Sequence, residues 1–288
     1  MNKKIIFVAD AFANQYAGGA ELSTEALLSE CPWEQEPHRI NSNDVTLDRM
    51  KNDKDAIWIF TNIANLEDSQ IFYAIKNLDY FFVEYDYKFC KFRSVEKHSL
   101  AEKSCNCEQE RYGKLIAAFI YSSKKTWFMS ESQKRIYTEK FNVLSKKGNI
   151  EVLSSLFLKG DLKFMENISN NEKNEKYIIL NSNSWIKGTQ ACISYAKDNN
   201  IEYELVNNLS YIELLIKLST SKGLIFLPLG GDTCPRLVIE AKLLNCDLIL
   251  NENVQHKNEE WFGLNIDGVN DYLSGRVENF WKEIGLNE

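Results

Sequence analysis

LIFLPLGGDTCPRLVIEAKLLNCDLILN, residues 224–251, passes from strand through a glycine turn into a helix and back to a strand within one short stretch. Leu224 to Leu227 is an apolar run of the kind that forms a buried parallel strand, and Gly230-Gly231 permits a tight turn with positive φ. Pro235 suits the first turn of the helix that follows, where its missing N–H costs nothing. That helix sets Leu237, Val238, Ala241 and Leu244 on one face, and Cys246 to Leu250 is the next strand. A strand-to-helix junction of this kind leaves N–H groups directed at a pocket, and the helix dipole favours an anion there, most often a phosphate. Asp232 and Glu240, eight residues apart, put a carboxylate on each side of the turn. An ordinary βαβ unit with two solvated acids fits this stretch equally well.

Working outward, the same alternation recurs. Tyr177 to Leu180 and Tyr203 to Val206 read as strands, Tyr211 to Leu218 as a helix, and a helix begins near Lys187. In the first half, Lys3 to Val8 is a strand followed by Gly18-Gly19 and an amphipathic helix from Ala20. Ile57 to Phe60 and Tyr80 to Val83 are further buried strands with a helix from Leu66 to Lys76 between them, and Thr126 to Ser130 is another. A βαβα order predicts a parallel sheet with helices on both faces. The polar run 142–149 breaks the pattern and marks a domain boundary at residue 148. Ile150 to Ser154 then opens the second half, and the polar segment through Asn174 holds too few apolar residues to predict a core element. Gly268 to Gly285 is amphipathic, with Val269, Tyr272, Leu273, Val277, Phe280, Trp281 and Ile284 at helical spacing.

A chain of 288 residues is long enough for two domains of ordinary size or one large one, and can bury a sizeable core. Its 44% hydrophobic and 26% charged residues are those of a soluble globular protein, and no apolar run is long enough to span a bilayer. MNKKIIFVAD has a short apolar run that reads as a strand and not a secretory signal, which implies a cytoplasmic protein. Seven cysteines without a regular framework imply reduced thiols. The net charge of −7 hides an asymmetry: residues 87–147 carry fourteen Lys/Arg against six Glu, a net +8, leaving −15 for the rest. Such a basic segment can attract an anionic partner.

Ligands of open parallel sheets bind at the carboxyl ends of strands, which makes Glu84 and Asp86 site candidates on one face of the chain, with Asn62 a further one. Solvated loop acids are the alternative. The long irregular insert 87–110 contains Cys90, His98, Cys105 and Cys107, a set able to supply a tetrahedral Zn2+ site that would brace a segment poor in apolar residues. Free thiols and a surface histidine are the other reading. Ser130 with Gln133 three residues on forms a capping box.

Taken in order, these motifs resemble the family 4 glycosyltransferases of the GT-B type. That family carries two acidic residues eight apart at a Gly/Pro-containing helix start, matched by Asp232 and Glu240. Asp232 replaces the family's first glutamate, with one methylene fewer. Gly18-Gly19-Ala20-Glu21 matches the GG-x-E-like turn of the first domain, and the segment Trp127-Phe128-Met129-Ser130 with Ser132 and Gln133 resembles its last strand and helix. Lys187-Gly188 matches the K-G pair of the donor domain, while Ser182 stands where the family has an arginine. Arg236, four residues past Asp232, is placed to replace that charge, since guanidinium binds phosphate in bidentate fashion.

The resemblance implies an α/β chain of two Rossmann-like domains, 1–148 on the acceptor side and 149–267 binding a nucleotide sugar, with a cleft between them and the helix 268–288 returning to the first. It implies transfer of a sugar from a UDP-, GDP- or ADP-sugar to a hydroxyl, with retention of configuration and no essential metal at the chemical step. No D-x-D triplet is evident, Glu84-Tyr85-Asp86 being the nearest approach. Lys187, Arg236 and the amides around Gly231, Thr233 and Cys234 would hold the diphosphate, Glu240 the ribose, Asp232 the sugar, and Gly18-Gly19 would let amides approach the donor phosphates and the acceptor. The acceptor implied by the basic segment is anionic: nucleic acid, lipid phosphate or acidic polysaccharide. Two alternatives stand beside this reading, a DNA-modifying transferase acting on a hydroxylated base and a non-catalytic binding or scaffold protein of the same fold.

Overall fold

The structure, a computed structural model, describes residues 3–285. Its ten strands are β1 (Ile5–Ala9), β2 (His38–Asn41), β3 (Ile57–Phe60), β4 (Tyr80–Glu84), β5 (Lys125–Phe128), β6 (Ile150–Val152), β7 (Tyr177–Leu180), β8 (Tyr203–Val206), β9 (Gly223–Phe226) and β10 (Asp247–Leu250). They form two parallel sheets, ordered β2-β1-β3-β4-β5-β6 and β10-β9-β7-β8. All five residues of β1 and of β4 are buried, the signature of parallel strands covered on both faces. Each sheet with its helices is a Rossmann-like α/β unit.

One compact unit comprises the chain to Leu156 together with the segment from Arg276, and the other spans Phe157–Gly275. The sequence places the boundary at 148, but β6 pairs with β5 in register Thr126 with Ile150, so it closes the first sheet and does not open the second. The amphipathic C-terminal stretch is also two helices: Ile266–Ser274 belongs to the second unit and Arg276–Gly285 to the first. Residues 286–288 of the expected terminal helix lie outside the described residues. In the first unit Trp281 sits against Phe7, its Nε1–H donating to the Leu27 carbonyl at 3.1 Å. Phe280 packs on Trp127, whose own Nε1–H donates to Glu283.

Elements without an apolar signature were invisible in the sequence. Edge strand β2 is half exposed, and the helix Lys159–Ile168, in the segment read as lacking a core element, buries only Leu162 and Met165. The predicted capping box at Ser130 is half present. Ser130 Oγ accepts from the Gln133 amide at 3.1 Å, but the Gln133 side chain accepts from the Met129 amide and donates to the carbonyls of Glu84 (3.0 Å) and Asp86 (2.8 Å). Gln133 therefore fixes the backbone where β4 ends.

Candidate functional site

In an open α/β sheet the strand order reverses at one point, and the loops leaving the two flanking strands diverge there to leave room for a ligand. In the second unit that point lies between β7 and β9. Lys187, after β7, and Asp232, after β9, meet in an ion pair of 2.8 Å, with the lysine Nζ 5.4 Å from the centre of the Phe226 ring. Two residues predicted from separate motifs are thus brought together. The turn carrying Asp232 is stitched down: its amide donates to the Asn253 carbonyl at 2.8 Å, its carbonyl accepts from the Gln255 amide at 3.1 Å, and Thr233 and Cys234 are buried.

Gly188 shows why a glycine follows the lysine. Its backbone is left-handed, φ 63°, and a Cβ there would lie 2.0 Å from the Leu227 carbonyl oxygen. The lysine turn can approach the end of β9 only without a side chain at 188. The positive φ expected at Gly230-Gly231 is not found; among the described residues Gly188 is the glycine that has it.

Arg236 departs from the expected role. The helix Arg236–Leu243 begins one residue after Pro235, and the arginine points inward, buried, with Nε donating to Glu240 Oε1 at 2.8 Å. Its Nη2 reaches Tyr211 Oη at 2.9 Å and Asp161 Oδ2 at 3.2 Å, and the guanidinium lies 3.9 Å over the Phe157 ring. A guanidinium enclosed on these sides is a structural counterion and is not presented to a diphosphate. Glu240 is equally enclosed, and burial raises its pKa against the opposing pull of Arg236. Ser182, at the position lacking the arginine, donates its amide to Thr189 Oγ1 at 3.1 Å.

In the first unit the strand order reverses between β1 and β3. Asp10 follows β1 and Asn62 follows β3, and both receive the guanidinium of Arg93, at 3.4 Å and 3.0 Å. Arg93 also pairs with Asp86 at 2.6 Å. Glu84 and Asp86 share the buried Lys88, Nζ lying 2.9 Å and 3.5 Å from their carboxylates, as their common face predicts. They differ in access. Glu84 is fully buried and its pKa is pushed up by burial, partly offset by Lys88, whereas Asp86 is partly exposed and held below the usual carboxylate range by Lys88 and Arg93 despite desolvation. Asp86 can meet a ligand; Glu84 cannot without a rearrangement.

At Gly18, which precedes the helix Gly19–Ser29, the carboxylate of Glu21 folds back so far that a Cβ on the glycine would meet Oε2 at 2.3 Å. The helix start is already covered by the chain's own acid. Beside it, a polar cavity of about 490 Å³ is lined by Asp10, Gln15, Asn41, Asp44 and Asn65, among others. Asp10 is its hub, accepting from Ser42 Oγ at 2.6 Å and the Ala64 amide at 2.9 Å. Asp10 and Arg93 were not predicted. The carboxyl end of β1 was a signal for Asp10; nothing local marks Arg93, which reaches the site by long-range folding.

The insert condenses around its soft ligands. Cys90, His98, Cys105 and Cys107 are all buried, and one ligating atom from each lies within 4.8 Å of every other. Most of the charge of the basic segment is paired, while Lys97, Lys103, Lys114 and Lys146 are exposed. Lys88, Lys91, Arg93, Arg111, Lys124, Lys125, Lys134, Arg135 and Lys140 all face carboxylates, several of them contributed by residues outside 87–147. Lys147 Nζ is spent on carbonyls at the end of the helix Arg111–Ser122.

No protein-family model and no curated protein matches the chain. Solved structures match by fold. AviGT4, a glycosyltransferase involved in avilamycin A biosynthesis, gives a TM-score of 0.50 at 8% identity over 98% of this chain and 93% of its own. An α-glucosyltransferase in complex with UDP-glucose and DNA containing an abasic site gives 0.50 at 8% identity over 97% and 90%. The lipopolysaccharide outer core galactosyltransferase WaaB, in its apo form, gives 0.49 at 13% over 97% and 91%. The two likenesses at 0.50 establish the GT-B fold of two Rossmann-like units. Among the described residues no helix is long and apolar enough to cross a membrane.

Proposed function

We propose that the chain is a retaining glycosyltransferase related to family 4, moving a sugar from a nucleotide-diphosphate donor to a hydroxyl acceptor. One observation carries the reading: Lys187 and Asp232, from two different loops, meet at the point where the second sheet reverses its strand order. Glycosyl transfer builds negative charge on a departing diphosphate, and a fixed cation beside the starts of the helices Thr189–Asp198 and Arg236–Leu243 answers that demand. Asp232 holds Lys187 in place before the donor binds and takes a sugar hydroxyl once the lysine turns to phosphate. The second unit is the donor side and the first the acceptor side, where Asp10, Asn62 and Asp86 offer acceptors for sugar or alcohol hydroxyls.

The experiment is donor hydrolysis and transfer with UDP-, GDP- and ADP-sugars. Turnover with one nucleotide that falls about 10²–10³-fold in Lys187→Ala supports the reading. Glu240→Gln in place of Glu240→Ala keeps the shape around Arg236 and separates a lost ribose contact from a lost fold.

A second reading, a nucleotide-binding or scaffold protein without turnover, is favoured by one specific observation. Glu240 and Arg236 are already paired with each other and enclosed, leaving the ribose position closed. Binding of a nucleoside diphosphate with no turnover of any donor selects it. A DNA acceptor has less support, because nine of the fourteen basic residues of 87–147 are paired with carboxylates, several of these from outside the segment. Duplex binding that falls steeply with salt would restore it.

A further inference from the structure

We propose that Cys90, His98, Cys105 and Cys107 bind one structural Zn2+, and that this metal fixes the turn that delivers the Arg93 guanidinium to Asp10, Asn62 and Asp86 in the first unit. Three of the six distances among the four ligand atoms match the edges of a tetrahedral zinc site, and all four atoms lie within 4.8 Å of one another. With Zn–S of about 2.3 Å and Zn–N of about 2.0 Å, the edges of such a site are about 3.8 Å between sulfurs and about 3.5 Å between sulfur and nitrogen. The Cys90 and Cys105 sulfurs are 3.7 Å apart, and His98 Nδ1 lies 3.5 Å from Cys90 Sγ and 3.3 Å from Cys107 Sγ.

The surroundings match a metal-binding histidine. Nδ1 faces the sulfurs while Nε2 is 3.0 Å from Glu102 Oε2, so the carboxylate accepts the Nε2 proton and fixes the tautomer with Nδ1 free to ligate. Phe92 stacks on the imidazole with ring centres 4.9 Å apart. Backbone amides of Phe92 and Cys107 face the sulfurs of Cys90 and Cys105, the donors that thiolates require. A disulfide between Cys90 and Cys105 would leave Cys107 and the oriented histidine without purpose, whereas one ion uses all four.

The consequence for Arg93 follows from the chain path. Cys90 and Arg93 close one turn, the Arg93 amide donating to the Cys90 carbonyl at 2.8 Å. Arg93 has φ 53°, a left-handed conformation that a non-glycine residue keeps only where its surroundings hold it. Ser94 then caps the helix Val95–Glu102, which carries His98. The arginine is therefore clamped between the first and second ligands, and its guanidinium bridges the ends of β1, β3 and β4. This inference does not depend on glycosyl transfer.

The test begins with metal analysis of the full chain purified from zinc-supplemented cells. One equivalent of zinc per chain is expected, with cobalt substitution giving the tetrahedral d–d and thiolate charge-transfer absorption of a site with three sulfur ligands and one nitrogen. His98→Ala should lose the metal and His98→Cys should keep it, since a fourth thiolate satisfies the same tetrahedron. Hydrogen exchange then reads the positioning: chelation should release residues 86–107 at least tenfold while the second unit stays unchanged. Carboxyl titration by NMR should show the Asp86 pKa rising to the same extent in metal-free protein and in Arg93→Ala. Substoichiometric zinc without tetrahedral cobalt absorption, or a Cys90–Cys105 disulfide in the purified protein, overturns the metal site. A full equivalent of zinc whose removal leaves Asp86 unmoved overturns its link to Arg93.

Discussion

Arg236 and Glu240 show how the same two residue types can serve a ligand or the fold. Four residues apart on one helix, they fall within reach of each other, and burial makes each the other's necessary counterion. Burial decides which role they play, and a sequence does not state burial. Asp232 is different because it lies on a loop at the carboxyl end of β9, where its partner Lys187 stays partly exposed. His256 is a third case, with no sequence motif around it. It is fully buried against Trp261 and Phe262, and neither ring nitrogen has a hydrogen-bond partner among the described residues. Burial lowers its pKa from 6.5 to about 3, so the unfolded chain binds the extra proton between those values and the folded chain does not. Its contribution is complete above pH 6.5 and is lost as pH falls from there toward 3. The stability of the second unit should therefore start to fall below about pH 6.5, and His256→Phe should remove that part of the decline and shift acid unfolding to lower pH in circular-dichroism titrations.

At the scale of elements, apolar strands were legible and weakly apolar or edge elements were not. The strands β1, β3, β4, β7 and β9 are runs of branched and aromatic residues that no other element tolerates so well. β2 and the helix Lys159–Ile168 carry few buried residues and are held by neighbours, which leaves no periodic trace. Lys187-Gly188 was legible as a motif, but its physical reason was not: the left-handed backbone lies at Gly188 and not at Gly230-Gly231. Gly188→Ala should cost about 1–2 kcal/mol from the left-handed conformation alone, and more because its Cβ meets a backbone carbonyl that cannot turn aside. Chemical denaturation would register this as a lower midpoint for the second unit, and under the proposed function donor turnover should fall with it as Lys187 is displaced. Gly160→Ala, in the helix Lys159–Ile168 where a Cβ meets nothing, should lower neither.

For the whole molecule, the division into units follows sheet membership and not the sequence break at 142–149. The segment Arg276–Gly285 completes the first unit through Trp281, Phe280 and the Arg276 side chain, which donates to the Leu153 carbonyl at 3.0 Å. Trp281→Ala should cost about 3–5 kcal/mol, and two-transition calorimetry should assign the loss to the first unit while the second melts unchanged. The order of buried strands and glycine turns, the acid pair eight residues apart and the cluster of thiols are properties of the chain itself. Periodicity and local turn chemistry are written in neighbouring residues, so the sequence alone determined a parallel α/β fold in two units and the glycine turns that leave its strands. Which charges remain free is a different kind of property. Lys187 finds Asp232 across 45 positions, Arg93 finds Asp10 across 83, and Arg236 finds Asp161 across 75. Only the tertiary structure decided these pairings, because the field at each charged group comes from residues remote in sequence and from how completely water has been removed around it.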